Sequence, residues 1–172
     1  MILGPSAAVR WLLAAIAALC LVTVSAAQAQ GAEIFGRWTI AKAVVAPWAD
    51  PLQRGGRAEE RRLVGRTVTF AARSVTGPAP LGCQSATYSA HDDTADLLFE
   101  GSLAEPDVGG KPRDAQALAR ALGMTTRTVR TVETSCSEVA YHRLSPTTLV
   151  FGLNNRIYTL HPAPGGLHRD RR

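Results

Sequence analysis

Apolar and polar residues alternate along most of the chain after residue 34, and this period-two pattern is typical of half-buried β-strands. In the first such stretch, Trp38, Ile40, Lys42 and Val44 are expected to share one face. Asn154-Asn155 separates the last two stretches, and asparagine tolerates positive φ, so this pair predicts a tight hairpin. The expected strands cover residues 35–45, 64–72, 85–88, 97–103, 126–135, 139–144, 148–153 and 156–161.

A helical spacing of apolar residues occurs once, between Asp114 and Gly123. Asp114 has the side chain of an N-cap, and Gly123 stands where a left-handed C-terminal residue belongs. The residues between them include an apolar stripe with helical spacing, Ala115, Leu118, Ala119 and Leu122. We therefore predict a helix over residues 114–122, which is too short to be stable without packing against a sheet. The polar stretch 53–62 is either a loop or a second short helix around residues 58–62.

These elements predict a mainly β protein, with a single antiparallel barrel or sandwich of about eight strands and one short helix. The expected domain covers residues 30–161. Proline and glycine interrupt it at 46–51, 75–82 and 106–112, and residues 91–96 are expected to form a polar turn.

The two ends of the chain differ from this domain in composition. Arg10 precedes an unbroken run of apolar and small residues from Trp11 to Ala27, and Ala27-Gln28-Ala29 has the small-x-small pattern of a cleavage site. This arrangement predicts a secretory signal peptide over residues 1–29 and a periplasmic or secreted protein with no stable membrane insertion after cleavage. The C-terminal residues 162–172 are expected to form a disordered basic tail.

Cleavage of that signal would remove Cys20 and leave two cysteines, Cys83 and Cys136. An even number of cysteines in an oxidising compartment predicts a disulfide, and two cysteines allow one intramolecular pairing. A metal pair or a catalytic thiol is the alternative, but neither cysteine has a CxxC neighbour or a matched histidine spacing.

Charge and motifs narrow the class of function. The formal net charge is +5, which is a mild excess, and no basic stripe interleaved with aromatic residues indicates nucleic acid. The turn at 91–96 is expected to be solvated rather than a calcium loop, and His142 and His161 lack a third metal ligand. Because GxSxG, GxGxxG and P-loop motifs are also absent, we expect no metal or cofactor, we favour a role other than catalysis, and we nominate no catalytic residue.

Gly36-Arg37-Trp38 on the first strand resembles the GxW signature of lipocalins and other calycins. In that family the tryptophan closes one end of an eight-stranded barrel, and the other end opens on an apolar ligand cavity. In lipocalins the main helix follows the barrel, whereas the helix predicted here precedes the last four strands. A weaker likeness, on Val75-Thr76-Gly77 and Gly82-Cys83, is to META-type and other small exported bacterial β-domains.

The resemblance and the predicted export imply a soluble periplasmic binding or inhibitory module whose ligand is a small apolar molecule or an envelope protein. The residues expected to bind it are aromatic: Trp38, Trp48, Phe70 and Phe99. The alternatives are a cell-envelope hydrolase that uses acids such as Glu100, Glu133 and Glu138, and a structural envelope protein.

Overall fold

The computed structural model describes residues 31–49, 56–107 and 109–165, which form eight strands, two α-helices and one 3₁₀ helix. The strands are β1 Gly36–Val45, β2 Thr67–Ala71, β3 Ser74–Thr76, β4 Tyr88–Asp93, β5 Val129–Thr134, β6 Ala140–Ser145, β7 Thr148–Leu153 and β8 Arg156–Pro162. The helices are the 3₁₀ helix Ala32–Ile34, α1 Arg57–Leu63 and α2 Ala115–Ala121. The predicted mainly β architecture is confirmed, whereas the predicted signal peptide and most of the predicted tail lie outside the described residues.

All eight strands belong to one antiparallel sheet with the order β3-β2-β1-β8-β7-β6-β5-β4. The sheet curls into a half-barrel, which brings its two ends together. The hydroxyl of Tyr88 on β4 donates to the carbonyl oxygen of Ala71 on β2, at 2.7 Å. Burial raises the pKa of Tyr88 to about 12, so this hydroxyl keeps its proton and remains a donor.

The predicted disulfide is confirmed, and it spans the same junction. Cys83 pairs with Val75 of β3, while Cys136 follows β5, and their Cα atoms are 5.3 Å apart. The bond therefore joins strands that stand near opposite ends of the sheet order. It closes the curl covalently at a junction where the described residues of β3 and β4 form no backbone ladder.

Several predicted element boundaries are wrong. Residues 91–93 belong to strand β4 rather than to a turn, and residues 97–103 form consecutive turns rather than a strand. Residues 74–76 form the short strand β3 where a loop was expected. The helix alternative for residues 58–62 is the one observed, and the Asn154-Asn155 hairpin is confirmed, with Asn154 in the left-handed region at φ 51°.

The prediction of which β1 side chains share a face is correct only as far as Ile40. A bulge between Ile40 and Lys42 shifts the register against β8 by one residue. After a one-residue shift every side chain changes face, so Lys42 points to solvent and Ala43 packs against the core. Val44, which was predicted to share the Trp38 face, is exposed.

A cluster of buried hydrophobic side chains, which we call the inner core, lies inside the curl. Aromatic side chains fill much of it. Phe151 stacks on Tyr158 with ring centroids 5.0 Å apart, and Tyr141 meets Phe70 edge to face at 4.8 Å. Aromatic pairs in these geometries stabilise a core beyond their burial alone. The large side chains of the inner core include Ile34, Trp38, Ile40, Leu63, Phe70, Tyr141, Leu149, Phe151, Tyr158 and Leu160.

A helix covers each end of the inner core. At one end Ile34 of the 3₁₀ helix is fully buried, and its carbonyl oxygen accepts a hydrogen bond from Trp38 Nε1 at 2.7 Å. At the other end α1 inserts Leu63, and Glu59 of α1 accepts hydrogen bonds from Tyr158 Oη at 2.8 Å and from Asn154 at 2.7 Å. In a lipocalin-like barrel, one of these ends would be the open mouth.

A second cluster, the outer core, packs on the convex face of the same sheet. It is covered by residues 94–107 and 109–124, which contain the turns after β4 and helix α2, and we call these residues the outer cover. Asp114 caps α2 by accepting a hydrogen bond from the Ala117 amide at 2.9 Å, as predicted. The buried members of the outer core are Ala46, Ala95, Leu98, Phe99, Leu103, Ala119, Met124, Val129, Val150 and Ile157.

The disulfide gives a direct test of how the curl is held. Cys83→Ser combined with Cys136→Ser should lower the free energy of unfolding by about 4 kcal/mol, because the bond removes loop-closure entropy from the unfolded chain. The closed loop is long, with a sequence separation of 53 residues. Urea unfolding without reductant measures the loss. Dithiothreitol should lower wild-type stability to the same value and leave the double variant unchanged, whereas a loss below about 1 kcal/mol would contradict this account.

Candidate functional site

Two adjoining clefts open on the convex face, where the outer cover meets β4, β5 and β6. The first, the Trp48 cleft, has a volume of about 250 Å³. The second, the Asp93 cleft, has a volume of about 280 Å³. Glu100, Ala140 and His142 line both of them. The Trp48 cleft is also lined by Trp48, Phe99, Ser102, Glu138, Val139, Gly152, Leu153 and Asn154, and the Asp93 cleft by His91, Asp93, Leu97, Gly101, Thr131 and Glu133.

The residues between the clefts adopt a strained backbone. Phe99, Glu100 and Gly101 have φ values of 53°, 58° and 83°, so three consecutive residues lie in the left-handed region. For a residue with a Cβ this conformation costs on the order of 1–2 kcal/mol. Phe99 is buried and Glu100 is exposed. The turn therefore anchors one side chain in the outer core and presents a carboxylate at the boundary of both clefts.

His142 holds this turn in place from β6. Its Nε2 accepts a hydrogen bond from the Phe99 backbone amide at 3.1 Å, and its Nδ1 lies 2.9 Å from Thr131 Oγ1. An Nε2 that accepts carries no proton, so the neutral ring has its proton on Nδ1 and donates to Thr131. Burial lowers the pKa of His142 to about 4, in agreement with a neutral ring. His142 is thus a positioning residue for Phe99.

Trp48 and Phe99 form the aromatic wall of the Trp48 cleft. Their ring centroids are 5.2 Å apart, and Trp48 Nε1 donates to the Asn154 carbonyl oxygen at 3.2 Å. Both rings lie directly over Gly152 on β7, where an added Cβ would stand 3.1 Å from Phe99 and 3.4 Å from Trp48. Trp48 is half-buried, so part of its indole remains available to a ligand.

Carboxylates form the polar part of both clefts. Glu100 and Glu138 line the Trp48 cleft, while Asp93, Glu100 and Glu133 line the Asp93 cleft. His91 Nε2 lies 3.2 Å from Asp93, and Ser89 donates to Glu133 at 3.1 Å. Neither cleft has a lysine or arginine among its lining residues, although the chain as a whole carries a net charge of +5. The clefts are therefore a local negative region on a basic protein.

The four aromatic residues that the sequence nominated divide between the two cores. Trp38 and Phe70 are buried in the inner core, whereas Trp48 and Phe99 meet at the Trp48 cleft. The acids of the alternative hypothesis come together around Glu100, which lines one cleft with Glu138 and the other with Glu133.

The sequence did not predict that His142 belongs to this site, because nothing in the residues around a single histidine on an alternating strand identifies the Phe99 amide as its hydrogen-bond partner.

Within residues 31–49, 56–107 and 109–165, no three histidine, cysteine, aspartate or glutamate side chains are grouped so as to hold a metal ion. Nor is any helix in these ranges long and apolar enough to span a membrane.

Comparison with known proteins adds no relative: no family model matches the chain, and searches of curated proteins and of solved structures found no match.

The role of His142 predicts a specific dependence of stability on pH. The native ring resists protonation down to pH about 4, whereas an unfolded histidine takes a proton near pH 6.5. Stability is therefore lost as pH falls from 7, and between pH 7 and 5 this group should cost about 2 kcal/mol. His142→Gln keeps an acceptor for the Phe99 amide but does not titrate, so urea unfolding should give it a shallower pH slope. His161→Gln, at an exposed histidine, is the matched control, and an unchanged slope in His142→Gln would contradict the assignment.

The strained turn predicts that Glu100 is kept at a cost to stability. Glu100→Gly should raise the free energy of unfolding by about 1 kcal/mol, because relief of the left-handed strain exceeds the added entropy of a glycine in the unfolded chain. Glu100→Ala keeps the strain and should not stabilise. Urea unfolding of both variants tests this, and a destabilised Glu100→Gly would mean that the side chain itself supports the fold.

Proposed function

We propose that the protein is a soluble periplasmic binding or inhibitory module that captures a cationic group in the Trp48 cleft. The observation that carries the proposal is the pairing of the Trp48–Phe99 wall with Glu100 and Glu138 in one open concavity.

The packing of the inner core favours the outer face over the barrel interior. Tyr141, Phe151 and Tyr158 fill the space that a calycin reserves for its ligand, and all three are fully buried. Leu63 of α1 and Ile34 of the 3₁₀ helix cover the two ends. A ligand would have to displace the 3₁₀ helix, or α1 together with the hydrogen bonds to Glu59, whereas the clefts need no such rearrangement.

The chemistry of the cleft favours a cation. An ammonium or guanidinium group gains electrostatic energy over the face of a tryptophan, and it forms charge-assisted hydrogen bonds with carboxylates. Glu100, Glu138 and the half-buried Trp48 supply both contacts, and His142 stays neutral and does not oppose them. A volume of about 250 Å³ suits one side chain or one small polar group rather than a drug-sized ligand.

Two features support export to an oxidising compartment. The Cys83–Cys136 bond is of the kind that persists where thiols are not kept reduced. The apolar run from Trp11 to Ala27, followed by Ala27-Gln28-Ala29, has the pattern of a secretory signal. Together they support a binding event in the periplasm or outside the cell.

Nuclear magnetic resonance titration of the protein lacking residues 1–29 tests the cleft directly. N-acetyl-arginine amide should shift the amides of residues 99–102 and the Trp48 indole proton, while N-acetyl-glutamate amide and methyl glucoside should not. Trp48→Ala and Glu100→Gln should each weaken arginine binding about fivefold, which corresponds to roughly 1 kcal/mol for a cation–π contact or an exposed ion pair.

Glu105→Gln is the matched control, because Glu105 is exposed and lines neither cleft. The indole proton of buried Trp38 should not shift. Equal shifts from the glutamate probe, or none from the arginine probe, would contradict the proposal. Cleavage of an envelope glycan or peptide by the wild type, lost in Glu100→Gln, would instead support the hydrolase alternative, in which paired carboxylates act on the substrate.

A further inference from the structure

The two ends of the curled sheet are protected unequally. The outer edge of β3 is covered, because Val75 exchanges backbone hydrogen bonds with Cys83 at 3.0 and 2.8 Å, and the Ala86 amide donates to the Arg73 carbonyl at 2.8 Å. Strand β4 pairs with β5 on one side only. Within the described part of the chain, residues 89–93 make no backbone hydrogen bond except to β5. Beyond Tyr88, β4 is therefore an open edge.

This edge is long enough to accept another strand, and its protection consists of negative charge, which does not exclude a basic strand. The five residues of β4 beyond Tyr88 extend for about 17 Å, close to the length of a typical strand. No proline, lysine or bulge interrupts its pairing with β5. The side chains of His91 and Asp92 are 47% and 60% exposed, so the edge is not hidden beneath the outer cover.

The charge beside the edge is negative. Asp92 and Asp93 lie on β4 itself, and Glu133 on β5 faces Ser89 across the ladder. The nearby cation Arg130 is already shared, since its Nε lies 2.7 Å from Glu33 and its Nη1 lies 3.6 Å from Asp92. On the outer face, Asp93, Glu133 and Glu100 converge on the Asp93 cleft, which lies beside the same strand.

We propose that an extended basic segment of a partner protein adds to β4 as a ninth strand, with alternating lysine or arginine side chains that lie across the ladder from Asp93 and reach past Ser89 toward Glu133. Addition of a strand satisfies the free backbone groups of β4, and side chains directly across a ladder lie close enough to pair by charge. This inference rests on the proposed binding function but uses a surface distinct from the Trp48 cleft.

A second copy of the chain fits the edge less well. In an antiparallel ladder of two β4 strands, Asp92 and Asp93 of each copy would lie opposite the other end of the partner strand, which carries no lysine or arginine to pair with them. A basic partner supplies that pairing and is therefore favoured over a second copy.

The probe is an acetylated octapeptide that alternates lysine with threonine, added to the protein lacking residues 1–29. Amide hydrogen exchange by nuclear magnetic resonance should show slower exchange at alternate residues of β4, because every second amide of an edge strand points outward. An octapeptide that alternates lysine with proline keeps the charge but cannot form a ladder, so it should give no protection. Asp93→Asn and Glu133→Gln should each weaken binding about two- to fivefold, and Trp48→Ala should leave the protection of β4 unchanged.

Other results would overturn either this inference or the cleft proposal. Equal binding of both peptides without protection of β4 would mean charge attraction alone. If an octapeptide that alternates glutamate with threonine also protects the β4 amides, the partner need not be basic. If the free protein dimerises through β4, the occupant of the edge is a second copy of the chain. If neither lysine peptide binds but N-acetyl-arginine amide still shifts residues 99–102, the edge proposal fails while the proposed function stands. If the peptide protects β4 and the arginine probe does nothing, the cleft proposal fails instead.

Discussion

The single sheet has two apolar faces, and both must be buried away from water. The rest of the structure follows from how each face is buried. The inner face is buried by curling the sheet on itself, and the outer face by the outer cover. Strands β6 and β7 are buried on both faces, since Tyr141 faces the inner core and His142 and Val150 face the outer core. Because the described residues of β4 and β3 form no backbone ladder with each other, the Tyr88 hydroxyl and the Cys83–Cys136 bond hold the curl closed.

The way in which the outer face is covered creates the candidate site. A regular helix or strand would bury that face evenly, but residues 94–103 are turns that must satisfy their own backbone groups one by one. His142 supplies an acceptor for the Phe99 amide at 3.1 Å, and this bond supports three left-handed residues in succession. The gaps on either side of that turn are the two clefts. Strain of this kind persists only where surrounding contacts over-determine the backbone, and it often accompanies functional sites.

The distribution of charge gives the convex face its chemical character. The chain is basic, yet Asp93, Glu100, Glu133 and Glu138 gather around the two clefts, with Asp92 at the open edge of β4. A localised field of one sign favours partners of the opposite sign and disfavours self-association. The aromatic wall and the open edge add contacts specific to a side chain and to an extended backbone, respectively, so one basic polypeptide would satisfy both surfaces.

The sequence by itself determined what depends on local pattern. Period-two alternation indicated the four C-terminal strands and β1, the asparagine pair indicated the last hairpin, and Asp114 marked the start of α2. The pair Cys83 and Cys136 followed from counting. Only the tertiary structure decided the rest. Three features depend on contacts between residues that are far apart in the chain, and a local sequence pattern cannot predict such contacts. They are the β1 bulge, the left-handed turn at Glu100 and the grouping of Glu100 with Glu133 and Glu138. Residues 97–103 alternate like a strand, but they do not pair with the free edge of β4. They fold over the outer face as turns that bury Leu98, Phe99 and Leu103 in the outer core, and in this position they form the site.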